Sequence, residues 1–302
     1  MVLVSSAERN YQERIRLERM RDNSNPFELA EEKFQKLFRL PRSAAFQLVS
    51  DLDDQRLDEG FIPKHLKVLS ALQFFAQGSY QAAVGQDNFI ALSQPSVSRC
   101  IKITADLIVE KLLPNCIKFP MTESEKLIAM TEFQELFNMP NTLGAVDGTH
   151  ISIAKPSINH PTAPGNLFYN RKGFYSINCQ IVCSAKGKII GLNPNFPGST
   201  HDAAIWRAST INHFLKSNFL SGERNQWLLG DKGYPLQPWL MTPLMAPTTE
   251  AERAYNNYAL NDDNHYDVEI QDVNIVVEEE NQDFLIEARQ IREELIQTHF
   301  NY

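Results

Sequence analysis

The chain has 302 residues, 43% hydrophobic and 22% charged, a balance that excludes disordered and fibrous classes. No apolar run approaches the roughly 18 residues of a membrane span, and the start, MVLVSSAERN, reaches charge too soon for a secretory signal. The formal charge of −8 speaks against a nucleic-acid partner only until it is located: Thr249–Tyr302 carries fourteen acidic and three basic residues, which leaves Met1–Thr248 at +3.

Residues 1–62 read as a helical segment. Ala7–Arg21 alternates Arg and Glu as an exposed helix does, so Arg14, Arg16, Arg19 and Arg21 form a solvated face before they form a phosphate site. Asn23–Pro26 breaks that pattern. Phe34 and Phe38 then share a helical face, and Ser43–Leu52 reads as a second helix with Phe46 and Val49 toward the core.

Residues 63–120 have the pattern of three short helices. Leu66, Leu69 and Leu72–Phe75 make one apolar face ending near Gly78; Ser79–Phe89 is a turn or short helix. Ser93 then stands where it can cap a third helix whose first turn contains Pro95. Val97, Ile101, Thr104, Ile108 and Leu112 continue one face, leaving Arg99 and Lys102 beside Gln94, Ser96 and Ser98 on the outer side. Three helices with a polar third one are similar to a helix-turn-helix, which makes Arg99 and Lys102 candidate DNA contacts, although many helical subdomains share this outline.

Residues 121–248 switch to alternating strand and helix signals, the mark of an α/β sheet. Thr122–Met139 reads as a helix. Tyr175–Ser184 and Lys188–Asn195 read as a hairpin turned at Ala185-Lys186-Gly187, followed by helices over Asp202–Ser209 and Ile211–Leu220 and a strand at Trp227–Leu229. Cys179 and Cys183 lie inside a strand run as small core hydrophobes. With Cys100 and Cys116 they form no CxxC pair, as in a reduced intracellular protein.

Three aspartates stand at or just beyond apolar runs: Asp147 after Leu143–Val146, Asp202 past Ile189–Phe196, and Asp231 after Trp227–Gly230. Local chemistry alone favours plain turns, because Asp-Gly and Asp-Lys-Gly are ordinary turn sequences. The alternative is convergence at strand ends, where carboxylates require a cation and hard oxygens suit Mg²⁺ or Mn²⁺. His150 and His201 admit a Zn²⁺ or Fe²⁺ site with two of the aspartates. That reading ranks lower, since His150 lies three strand residues from Asp147 and tends to face away from it. Arg171 and Lys172, in the turn Asn170–Gly173, are candidate phosphate contacts or a plain surface turn.

The phrases AVDGTHI, NRKGFYSINCQIVC, PGSTHDAAIWRAS and LLGDKGYP, in this order and spacing, resemble the PIF/Harbinger family of transposase-derived nucleases, whose catalytic domain is similar to other DDE transposases. The resemblance implies an RNase H-like α/β nuclease domain over 121–248. It also implies a hydrolase acting on DNA phosphodiester bonds, a divalent cation, and Asp147, Asp202 and Asp231 as the metal-binding catalytic residues. It raises the DNA-binding reading of the helical region, and it implies a nuclear location, with a cytoplasmic share, and a Myb-like DNA-binding protein as partner.

The sequence leaves the family pattern after Asn256. Pro243–Tyr255 still resembles a family loop, but the basic helix that carries the last catalytic glutamate is missing; Glu269 could replace it by distance alone. Residues 249–302 instead read as an acidic, flexible tail ending in a helix, FLIEARQIREELIQTHF. Two consequences are expected: a sheet with one face left uncovered, and a rival function as a catalytically inactive DNA- or protein-binding adaptor.

Overall fold

The computed structural model describes residues 6–23, 25–157, 164–260 and 279–301. Glu269 and most of the acidic stretch of the expected tail lie outside the described residues. The chain divides into two compact units, Met1–Cys116 and Ile117–Tyr302.

The first unit is helical: α1 (Ser6–Asp22), α2 (Glu31–Phe38), α3 (Arg42–Asp51), α4 (Gln55–Asp58), α5 (Lys64–Gln77), α6 (Gln81–Gln86), α7 (Gln94–Leu107) and α8 (Leu113–Cys116). On α1, Arg16 pairs with Glu13 at 2.8 Å, one charged turn against its neighbour as the Arg/Glu alternation implies. One core joins α2 to α7, with Phe34, Phe38, Leu52, Leu69, Val97 and Leu107 buried in it. Phe46 is a correction: it is 66% exposed, because α3 turns Ala45 inward and leaves Phe46 on the rim against Phe27. Helix α5 stops at Gly78, whose φ of +58° is the left-handed cap that glycine adopts without strain. Ser93 is the N-cap residue of α7, yet its hydroxyl bonds Ser96 Oγ at 2.9 Å rather than a backbone N–H. Between α7 and α8, residues Ile108–Leu112 form a π-helical turn.

The second unit is built on a mixed five-stranded sheet of β1 (Thr142–Ser152), β2 (Ser176–Cys183), β3 (Ile189–Pro197), β4 (Trp227–Gly230) and β5 (Leu240–Met241), in the order β3-β2-β1-β4-β5. Helix α9 (Glu123–Phe137) leads in, started by a capping box between Thr122 and Glu125. Strands β1 (Thr142–Ser152), β2 (Ser176–Cys183) and β3 (Ile189–Pro197) form an antiparallel meander. The β2–β3 turn closes through Ser184, Gly187 and Lys188, with Gly187 at a φ of +71°. Helices α10 (Asp202–Arg207) and α11 (Thr210–Leu220) cross over to β4 (Trp227–Gly230), which lies parallel to β1, and β5 (Leu240–Met241) lies parallel to β4. Helices α12 (Glu250–Leu260) and α13 (Glu279–His299) complete the unit. Part of the family-like loop Pro243–Tyr255 is therefore helical, started by Thr249, whose hydroxyl accepts the Glu252 N–H at 3.1 Å.

Both faces of the sheet are covered, which corrects the expectation of a bare face. Trp206, Leu215 and Phe219 from α10 and α11 pack on Val146, Val182 and Leu228. On the opposite face Phe133 of α9, Tyr255 of α12 and Leu295 and Ile296 of α13 pack with Trp227, Leu229 and Met241. Tyr255 and Arg292 both donate to the Thr242 carbonyl, at 3.1 and 2.9 Å, tying the two C-terminal helices to the end of β5. Among the described residues no helix is long and apolar enough to cross a membrane.

Candidate active site

The apolar run Leu143–Val146 does not end at Asp147. Strand β1 continues to Ser152 because its outer half, Asp147–Ser152, pairs with Ile181–Ser176 of β2. What ends at that point is the pairing with β4: Val146 faces Gly230 as the last pair. Asp147 and Asp231 thus follow the same rung on two adjacent parallel strands. Beyond Gly230 the chain turns, and Asp231 Oδ1 accepts the Gly233 N–H at 2.9 Å, an Asx-type turn.

Asp202 reaches this place from α10, where it is the first residue. Two glycines make room for it. A Cβ on Gly148 would collide with the Asp202 carboxylate and stand 3.3 Å from Asn178 Oδ1. A Cβ on Gly233 would stand 3.1 Å from Asp231 Oδ1 and 3.7 Å from Asp202 Oδ2, so both carboxylates lie within 4 Å of one point. Asn178 Nδ2 donates to Asp202 Oδ1 at 3.0 Å and to the Thr200 carbonyl at 2.9 Å, fixing the carboxylate and the loop before it. The buried Tyr234 phenol is held well above its ordinary range, first by burial and then by the negative charge of Asp202, Asp147 and Asp231. One side chain feels all three carboxylates.

Alternation along β1 puts Asp147 on the face of Ala145, and Gly148 and His150 on the other. Asp202 lies against the Gly148 side, the face of β1 opposite to Asp147. Among the described residues no three His, Cys, Asp or Glu side chains are already closed into a cation cluster. The donors nevertheless suit a hard cation: three carboxylates in the order found, two glycine positions whose Cβ atoms would fill the space, and a buried Asn178 Oδ1 with no hydrogen-bond partner.

His150 Nδ1 lies 3.0 Å from Ser176 Oγ, and Asn170 Nδ2 donates to the same oxygen at 2.8 Å. Burial lowers the affinity of His150 for a proton, and the charges of Lys172 and Arg171 lower it further, against the opposing pull of Asp202. His201 Nδ1 is 2.5 Å from Arg171 Nη2. The two histidines therefore serve the basic turn, whose tight closure uses Gly173 at a φ of +84°. Arg171 and Lys172 are exposed, Arg171 against His201, the residue before Asp202, and both charges reach His150. Arg99 and Lys102 lie on α7 in the other unit, exposed; Arg99 is 3.4 Å from Ser96 Oγ and Lys102 pairs with Asp106 at 2.9 Å.

Sequence reasoning missed Asn178, Gln180, Gly148 and Ser176. The signal was present: Ser176, Asn178 and Gln180 alternate along an otherwise apolar strand, and all three are buried, which calls for partners within the protein.

A family model described as a DDE superfamily endonuclease matches residues 146–282. The human protein named "Putative nuclease HARBI1" is 34% identical over 234 residues, which cover 76% of this chain and 64% of that protein. This chain carries a DDE superfamily endonuclease domain and is a homologue of HARBI1, a Harbinger transposase-derived protein. The mouse HARBI1 is 36% identical over 196 residues, 65% of this chain and 53% of that protein. The Harbinger likeness extends to an Arabidopsis thaliana protein named "Protein ALP1-like", 24% identical over 202 residues, 63% of this chain and 47% of that one. The chain spans less than two thirds of the length of these relatives. No solved structure matches.

Proposed function

We propose that the second unit is a divalent-metal-dependent nuclease that hydrolyses DNA phosphodiester bonds, organised as an RNase H-like domain. The observation that carries this reading is the approach of the Asp202 and Asp231 carboxylates to one point at Gly233, beyond the Val146–Gly230 rung that Asp147 and Asp231 both follow. The family supports the reaction class, and the antiparallel meander followed by parallel strands supports the fold assignment.

In this reading the three carboxylates hold Mg²⁺ or Mn²⁺. The cation, when bound, supplies charge neutralisation at the phosphoryl oxygens. The protein's own part is positional. Asn178 sets the direction of Asp202, and Gly148 and Gly233 keep the space between carboxylates clear. Arg171, steadied by His201, and Lys172 bind the phosphates flanking the cut, since guanidinium and ammonium groups are the usual backbone contacts. Arg99 and Lys102 on α7 supply a second, sequence-independent hold on DNA. On the family resemblance alone, the proposal places the protein in the nucleus, with a cytoplasmic share, beside a Myb-like DNA-binding partner.

The test is Mn²⁺ binding by calorimetry, comparing the chain with its Asp147→Ala/Asp202→Ala variant, followed by cleavage of a duplex. Binding and cleavage that vanish in the variant support the reading. A folded parent that binds no cation yet retains DNA selects the inactive adaptor instead.

A further inference from the structure

A cavity of about 360 Å³ opens on the sheet face where Asp202 lies, between β2, β3 and the first turn of α11. Asn178 and Gln180 share that face of β2, two residues or about 7 Å apart. Asn178 holds Asp202, and Gln180 lines the cavity. The cavity is therefore next door to the aspartates.

Its chemistry is neutral and polar. Asn193, Asn195, Ser209 and Thr210 join Gln180 around it, Phe196 supplies an aromatic surface, and among the described residues no charged side chain lines it. Two of these groups are buried. Ser209 is 3% exposed and occupies the N-cap position of α11 without making a side-chain capping bond. Gln180 is 2% exposed, and its amide nitrogen reaches Tyr234 Oη only at 3.5 Å, the outer limit of a hydrogen bond. A phosphate would be met by Arg or Lys; a ring edge with alternating donors and acceptors is met by amides and hydroxyls, with an aromatic side chain against its face. The volume is at the small end of ligand pockets, about 300–1,000 Å³.

We propose that this cavity receives one nucleobase of the DNA substrate, turned out of the stack beside the phosphate held at the aspartates. The proposal rests on the nuclease reading above. Asn193 and Asn195 read the base edge, Phe196 supports its face, and the energy of unstacking one base is returned by these contacts.

The experiment uses the full chain and duplex oligonucleotides with a single 2-aminopurine placed in turn at each position, a base whose fluorescence rises when it leaves the stack. DNA binding is followed separately by anisotropy, and Mn²⁺-dependent strand cleavage by gel. The expected result is a severalfold rise at one position. The rise is lost in Asn193→Leu/Asn195→Leu and in Thr210→Trp, which fills the cavity, while circular dichroism stays as in the parent and anisotropy shows each variant still saturated with DNA at the concentration used. Uniform fluorescence along bound DNA, or a rise that survives both variants, overturns the proposal, and undiminished cleavage in that case leaves the nuclease reading standing. A rise that obeys the variants in a chain that cuts no DNA retains the base site and removes the nuclease reading. A chain that binds no DNA removes both.

Discussion

Asn178 and Asp202 are joined by a 3.0 Å hydrogen bond from a side chain that is itself 3% exposed. The asparagine is fixed by β2 and donates at the same time to the Thr200 carbonyl, so the carboxylate inherits its direction from the sheet rather than from the loop that precedes α10. Groups that orient ligating carboxylates typically account for a 10–100-fold change in metal affinity. Asn178→Leu keeps the volume and removes the donor. Its affinity for Mn²⁺, read by calorimetry, is expected to fall by roughly that factor while the fold is retained. An unchanged affinity would separate Asp202 from cation binding.

Gly148 is the second half of the same arrangement. Alanine there would collide with the Asp202 carboxylate, with Cγ only 2.9 Å from the added methyl. Overpacking costs about 1–3 kcal/mol, and each kcal/mol lowers the melting point of a domain this size by roughly 2–4 °C. Gly148→Ala is therefore expected to fold, melt a few degrees lower and lose cation binding, because Asp202 is the side that yields. Calorimetry beside thermal denaturation checks both. A variant that melts lower yet binds Mn²⁺ like the parent would show that the carboxylate is displaced without consequence.

Much of this site is legible in the sequence because its parts are local. The hairpin and the helices around Asp202 and Leu220 each announce themselves within a few residues, whereas the three aspartates read locally as turn residues and stand out only through the order and spacing of the four family-like phrases. What is not legible depends on register. That Asp147 lies inside a strand follows from the pairing of Asp147–Ser152 with β2, which no local pattern of β1 reveals. Phe46 has the spacing of a core residue because helical periodicity defines a stripe but not its width, and Ala45 takes the inward position. The covering of the sheet by α13 is hidden for a similar reason: residues 279–299 are remote in sequence from β4 and meet it only in space. Local patterns mark candidate residues; tertiary pairing decides which polar strand residues stand beside them.

The field around His150 gives a second, independent reading of the geometry. Burial and the charges of Lys172 and Arg171 lower its pKa, while Asp202 opposes them. In chelator, Lys172→Met is expected to raise the His150 midpoint toward the ordinary value and Asp202→Asn to lower it further, both followed by NMR titration of the ring. A lowered folded-state pKa on a histidine means that the unfolded chain binds the proton more readily. Its contribution to stability is thus present above the ordinary midpoint and is lost as pH falls through the folded one. Midpoints that ignore both substitutions would place the basic turn and Asp202 away from His150.

Salt dependence distinguishes the two basic groups from general charge. A side chain that neutralises one phosphate contributes about 0.9 to the slope of log affinity against log salt. Arg171→Ala/Lys172→Ala, in the basic turn against His201, is expected to lower the slope for duplex binding and to abolish cleavage. Arg99→Ala/Lys102→Ala, on α7, is expected to lower the slope while retaining cleavage at saturating DNA. Slopes unchanged in either pair would remove that pair from the DNA interface.

Glu252 ties pH to the C-terminal helices. Its carboxylate accepts the backbone N–H groups of Thr249 at 2.9 Å and Thr248 at 2.5 Å, and these bonds, with that from the Thr248 hydroxyl, lower its pKa from 4.5 to about 2. A depressed carboxylate pKa means that the unfolded chain takes up the proton first as the solution is acidified. The stabilisation is therefore complete above the unfolded pKa of about 4.3 and disappears as pH falls to about 2. Glu252→Gln is expected to melt below the parent at pH 7 and pH 5, with the gap narrowing at pH 3 and closed near pH 2. Hydrogen exchange at the Thr248 and Thr249 amides gives the local counterpart, faster in the variant at neutral pH. A gap that persists unchanged at pH 2 would mean that the glutamine disturbs α12 by some means other than removal of the carboxylate cap.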